Sequence, residues 1–135
     1  MTQNLLEYLA QNPIDDMEQE VHIDGRLSKF KFRIKPMTSD QFYKYQRIST
    51  IAVQGKTKEV KFNAGRFNEL VILNHVVEPN FKDSTLLSSA GVNTPEQYLN
   101  KYFLAGELAK LSDKISEISG FETTDEELEE EAKNS

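Results

Sequence analysis

In two runs, residues 21–23 and 29–35, apolar and polar positions alternate. Val21 and Ile23 flank His22, and then Phe30, Phe32 and Ile34 interleave with Lys29, Lys31, Arg33 and Lys35. A period of two marks a strand with one buried face. Asp24-Gly25 between the two runs suits a tight turn whose central residues need positive φ, and Pro36 ends the second run. The pattern predicts a β-hairpin over about 20–35. Upstream, residues 3–10 predict a short helix stopped by Asn12-Pro13, and an acidic connector follows.

Past Pro36 the period lengthens. Thr38 with Gln41 forms a capping-box pattern, and Met37 with Phe42 is placed as a hydrophobic staple. They open a helix over about 39–53, striped by Phe42, Tyr45, Ile48 and Ala52. Gln54 to Lys61 reads as a basic loop around Gly55. A second helix over about 64–77 carries Phe67, Leu70, Val71, Asn74 and Val77 on one side, widened by Ile72, Leu73 and Val76. That breadth makes it the expected central helix, and Glu78-Pro79 ends it. Asp83 or Ser84 caps a short helical turn closing at Gly91. Thr94-Pro95-Glu96-Gln97 then opens a helix over about 95–103. In the last helix, about 105–119, Leu104, Leu108, Leu111, Ile115 and Ile118 recur at spacings of four and three, and Gly120 sits where a left-handed C-cap belongs, before Phe121. The sum is an α+β fold: an N-terminal β-hairpin packed on a bundle of several short α-helices. Residues 1–121 would form one globular domain, and residues 122–135 an acidic tail, either a frayed helix or disordered.

Charge separates the chain into regions. Residues 122–135 hold Glu122, Asp125, Glu126, Glu127, Glu129, Glu130 and Glu131 against Lys133, so the formal net charge of −6 lies in the tail and the body is balanced. Between Arg26 and Arg66 bases dominate, opposed only by Asp40 and Glu59. With no cysteine, disulfide, thiolate nucleophile and thiolate metal site are all excluded. The first residues lack a basic, apolar leader, and no apolar run approaches the roughly 18 residues of a membrane span. A cytosolic address is the expectation.

The candidate chemistry is sparse. His22 falls on the polar phase of its strand and His75 beside the apolar stripe of the central helix, neither with a ligand at metal spacing. The six glycines make no phosphate loop, the serines have no nearby base, and Asp15-Asp16 lacks the apolar framing that would tune a carboxylate. No catalytic, cofactor-binding or metal-ligating set is expected, and the chain reads as a binding protein without enzyme activity.

Three surfaces remain. Lys29, Lys31, Arg33 and Lys35 form a basic strand face. It is either a solvated face that guards a sheet edge or a phosphate-binding ribbon. The stripe Leu104, Leu108, Leu111, Ile115 and Ile118, with Phe121, is either buried against the central helix or a groove for a partner helix or second copy. The acidic tail is a solubilising appendage or a shield for the basic region.

A succession of segments carries a resemblance. Phe30-Lys31-Phe32-Arg33-Ile34-Lys35-Pro36-Met37-Thr38 is followed by Phe67-Asn68 through Val77-Glu78-Pro79-Asn80-Phe81-Lys82-Asp83. Then come Gly91-Val92 with Thr94-Pro95-Glu96, Leu104-Ala105-Gly106-Glu107, and Ile118-Ser119-Gly120-Phe121 before an acidic end. Over about residues 5–133 the order resembles the XkdN-like phage tail assembly chaperones of PBSX-type prophages and contractile-tailed phages of Gram-positive bacteria. Ala105 departs from the pattern, which often has proline there. The resemblance implies a chaperone of the host cytoplasm, absent from the mature virion, that binds the tape measure protein and keeps it soluble for tail tube assembly. It leaves open a frameshifted longer form reaching the tail tube protein, and a homo-oligomer; from the residues themselves no membrane or nucleic-acid partner is expected. The alternatives are a small nucleic-acid-binding regulator using the basic hairpin, or a structural tail protein retained in the virion.

Overall fold

The computed structural model describes residues 4–52 and 59–121. The acidic tail expected over 122–135 and most of the basic loop around Gly55 lie outside these residues. The observed architecture is α+β. The described residues form six α-helices, a small three-stranded antiparallel sheet and a separate two-stranded ribbon.

β1 (Gln19–Val21) pairs antiparallel with β2 (Phe32–Ile34), Glu20 opposite Arg33. The ladder is shorter than the alternation suggests. Residues 22–31 leave it as a loop, in which Gly25 takes φ 105° and Phe30 is 61% exposed. Tertiary anchors explain the departure. Ile23 drops into the core at 1% exposure, Leu27 packs against it, and Arg26 reaches across to the last helix. Burial of these side chains outweighs the few ladder bonds a tight hairpin would add. Val76–Glu78, expected as the end of a helix, is instead β5. It lies along the other edge of β2, with Ile34 opposite Val76.

α2 (Ser39–Ile48) opens on the Thr38–Gln41 capping box, both bonds present at 3.2 and 2.9 Å. It ends well before residue 53. Thr50–Ala52 becomes β3 and pairs with β4 (Val60–Phe62), because the β-branched Thr50 and Ile51 suit a pleated ribbon. The Thr50 hydroxyl also donates back to the Gln46 carbonyl, and the Asn63 amide donates to the Ser49 carbonyl at 2.7 Å.

α3 (Ala64–His75) is capped by Asn63 and packs chiefly against α6 (Ala105–Ile118). Val71, Ile72 and Leu73 from α3 and Leu108, Leu111 and Ile115 from α6 form the centre of the core. Between them run α4 (Ser84–Ala90), closed by Gly91 at φ 70°, and α5 (Pro95–Tyr102), capped by Thr94. The end of α6 is tied back to the start of α2: the Met37 amide donates to Ser119 Oγ at 2.9 Å, and the Phe121 ring rests on Phe42.

Candidate functional site

An open trough of about 490 Å³ lies where the sheet meets α5. Its floor is aromatic. Phe32 comes from β2 and Phe81 from the stretch after β5, each 4% exposed; Tyr98 lies on α5, and Phe103 follows it. The Phe81 ring meets Phe103 edge-on at 5.6 Å and Tyr98 at 5.9 Å, spacings at which aromatic pairs attract. Leu27 and the exposed Phe30 close one side.

The rim is charged but balanced. Lys31 stands 4.0 Å from Glu20, and Arg33 lies between Glu18 at 3.9 Å and Glu78 at 3.3 Å. Such a trough offers apolar area with polar orientation at its edges, the chemistry of a site that holds another chain's side chains. Among the described residues, no group of three or more His, Cys, Asp or Glu could hold a metal ion, and no helix is long and apolar enough to cross a membrane.

The loop that carries Leu27 and Phe30 is latched from below. Arg26 donates through Nε and Nη2 to both oxygens of Glu107 at 2.8 Å, and Nη2 also donates to the Tyr102 carbonyl. Glu107 lies in the first turn of α6, and its Oε1 accepts the Leu104 amide as well. The Arg26 hydrogen bonds hold the Glu107 carboxyl below its ordinary range, although its burial pulls the other way. These partners stand 81 residues apart, and nothing local in the sequence connects them.

His75 is fully buried. Its Nε2 lies 2.8 Å from Tyr45 Oη, while Nδ1 makes no hydrogen bond among the described residues. Burial first, and the neighbouring Lys35 charge next in the same direction, push the imidazole down to about 4. The same burial raises the Tyr45 phenol, so both groups stay neutral at ordinary pH. This pair sits in the core, away from the trough; His22 is exposed in the loop.

The residues expected from sequence to meet a partner are divided by the structure. Leu108, Leu111 and Ile115 are at most 8% exposed, sealed against α3, and are out of a partner's reach in this fold. Only the ends of the stripe face outward: Leu104 is exposed, as is Phe121, and Ile118 is partly covered. The basic face is not one face. Lys29 falls in the loop turn, Lys35 is half-buried beside Met37, and Arg33 is flanked by two glutamates. Lys31 remains as the exposed base over the trough.

Sequence reasoning missed the trough, whose residues come from five separate stretches of chain. It also missed two apolar surfaces. α1 (Leu5–Gln11) buries none of its residues, and Ile51, Val60 and Phe62 stand exposed on the β3–β4 ribbon.

The described residues thus hold an apolar trough with a balanced rim on a small α+β scaffold. The family model for phage XkdN-like tail assembly chaperone proteins matches residues 5–133, and the chain belongs to that family. Membership makes it a phage tail assembly chaperone by family, which implies phage tail proteins as partners and suggests a non-enzymatic role. The chain is 27% identical to the phage-like element PBSX protein XkdN of Bacillus subtilis (strain 168) over 115 residues, 83% of this chain and 78% of that one. It is also 27% identical over 135 residues to the protein YqbN of the same organism, covering 94% and 91%. The crystal structure of YqbN superimposes with a TM-score of 0.57 at 22% identity, over 90% of this chain and all of that one, a likeness of fold.

Proposed function

We propose that the protein binds the phage tape measure protein in the host cytoplasm and keeps it soluble until tail tube subunits assemble around it. The observation that carries this reading is the family match across nearly the whole chain. The trough supplies the grip: its floor takes apolar side chains of a helical client, and Lys31 with the rim glutamates can orient the client's polar flank. Leu104 and Phe121, the exposed ends of the α6 stripe, add apolar contact on other faces.

A basic ribbon for nucleic acid finds less support. Arg33 already faces Glu18 and Glu78, so phosphates would meet a neutralised surface. On this reading the chain leaves before the virion matures. A frameshifted longer form sharing the same body would carry the contact to the tail tube protein.

Co-expression with the tape measure protein tests the proposal. The tape measure should move to the soluble fraction and co-purify, and Phe30→Asp should abolish co-purification, since it places a charge at the mouth of an apolar trough. Tape measure that stays insoluble beside the parent chain would refute the chaperone reading. Undiminished binding by Phe30→Asp would remove the trough from it.

A further inference from the structure

The β3–β4 ribbon presents apolar side chains inside a basic stretch of the chain. All of its residues are exposed, with Ile51 at 57%, Val60 at 71% and Phe62 at 48%. A two-stranded ribbon is marginal in water by itself. This one is tied to the body at its base, where the Asn63 amide donates to the Ser49 carbonyl and the Phe62 ring lies 5.6 Å from Phe67 on α3. A shallow hollow of about 410 Å³ opens there, lined by Ile51, Ala52, Lys61 and Phe62 among others. Between residues 44 and 66 the chain holds Lys44, Arg47, Lys56, Lys58, Lys61 and Arg66 against Glu59 alone. Arg66 stands 4.0 Å from Glu69, whereas Lys44, Arg47 and Lys61 make no ion pair among the described residues.

We propose that this hollow holds the acidic segment that follows Phe121 of the same chain, with Leu128 as its apolar anchor. Three observations pick out that occupant. The first is position. Phe121 lies 4.7 Å from Phe42, Phe42 lies 5.7 Å from Phe67, and Phe67 lies 5.6 Å from Phe62, so three ring-to-ring steps lead from the root of the segment to the hollow. The second is reach. Seven residues carry the chain from Phe121 to Leu128, and an extended chain covers roughly 3.3 Å per residue, which spans those steps with length to spare. The third is charge. Glu126 and Glu127 precede Leu128 and Glu129, Glu130 and Glu131 follow it, so an acidic run would lie along a basic one. At the trough rim Arg33 already faces Glu18 and Glu78, but Arg47 and Lys61 beside the ribbon have no such partner among the described residues. Exposed ion pairs are individually weak and screened by salt, so the contact covers the ribbon without becoming necessary to the fold. Ile51 and Phe62 are thereby withheld from other chains until something displaces the segment. The inference concerns this chain alone and does not rest on the tape measure reading.

The test uses the full chain without any client. The chain has no cysteine, so Ala52→Cys with Glu127→Cys sets one thiol in the hollow and one beside Leu128, and leaves Phe62 and the anchor in place. Oxidation of the dilute protein should join them within one chain, as mass spectrometry of the monomer would show. Raising the salt to about 1 M, where the Debye length is about 3 Å, should slow that reaction by roughly tenfold. Arg47→Glu with Lys61→Glu should slow it comparably and leave the circular dichroism spectrum intact, because both side chains are exposed. Adding Glu129→Lys and Glu130→Lys to that same protein should restore the rate, a rescue that general damage to the ribbon would not allow. Leu128→Ser should slow the reaction at every salt concentration. A disulfide that forms only between chains would give the hollow to a second copy and overturn the proposal. A rate indifferent to salt and to the charge reversals, or a loss that the paired reversal does not restore, would overturn it as well.

Discussion

α1 and α6 each carry an apolar stripe, and the fold treats the two oppositely. In α6, Leu108, Leu111 and Ile115 are at most 8% exposed, sealed against α3; in α1, three leucines and a tyrosine stand more than half exposed. The spacing that marks an apolar face is alike in the two. What differs is the partner: α6 is long enough to cross α3 and is fixed at both ends, by the Arg26–Glu107 latch and by Ser119 on Met37. α1 lies before Pro13 and buries none of its residues. Periodicity reports that a face is to be covered, and only the assembled chain shows whether the cover is internal.

The largest effect that would sharpen this contrast is a pair of truncations. Leu111→Ala should cost about 2–5 kcal/mol, the transfer free energy of the lost atoms plus the cavity they leave, whereas Leu6→Ala should stay within about 0.5 kcal/mol in the monomer. Urea unfolding measures both. Equal losses would mean that α1 is packed within its own chain.

Next in size is the buried histidine. His75 titrates at about 4 in the folded chain, against an ordinary value of 6.5. As pH falls below 6.5 the unfolded chain takes up a proton that the folded chain refuses, so stability drops progressively until about pH 4. Across that window the loss is at most roughly 3 kcal/mol. The upper part of the window lies above the ordinary carboxylate range, and Glu107 is held below that range by Arg26, which separates the two effects. His75→Gln cannot titrate, and its stability should change far less between pH 6.5 and 5. A variant that follows the parent's pH dependence would show that another group is responsible.

Much of the scaffold is legible in the sequence because its signals are local. The Thr38–Gln41 box, Thr94 before Pro95, and the glycines at 91 and 120 in the left-handed region mark helix ends by chemistry within three or four residues. The α3–α6 seam is legible as two apolar stripes of helical period. The failures have physical causes too. Phe42, Tyr45, Ile48 and Ala52 continue a helical spacing past the true end of α2, where β-branched residues pair in a ribbon. Val76-Val77-Glu78 extends the spacing of α3, although Ile34 is waiting on the neighbouring strand. The trough was illegible because Phe32, Phe81, Tyr98 and Phe103 meet only once the sheet, α5 and the loops are in place. Lys29 to Lys35 looked like one basic face because alternation assigns sides but does not disclose the glutamates brought opposite from residues 18 and 78.

The smallest expected effect belongs to the acidic end, and it bears on the same contrast between what the body uses and what it carries. The described fold closes at Phe121. Gly120 turns the chain at φ 97°, the Phe121 amide caps the Ser116 carbonyl, and the Phe121 ring lies 4.7 Å from Phe42. The body up to that point is electrically balanced, so it does not need the tail's charge to hold together, whereas the tail's seven acids against one base would repel one another in any compact arrangement. Cutting the chain after Glu122 should therefore leave the melting temperature within about 3 °C, while a drop of about ten degrees would make the tail a working part of the fold. Solubility should respond more than stability, because the residues after Glu122 hold six acids against Lys133, so all but about one unit of the net charge of −6 leaves with them, and a body near zero charge associates more readily. Thermal melts and precipitation limits measured on the same two proteins distinguish these outcomes. A truncated chain that melts early but stays as soluble as the parent would reverse the assignment, making the tail structural and its charge incidental.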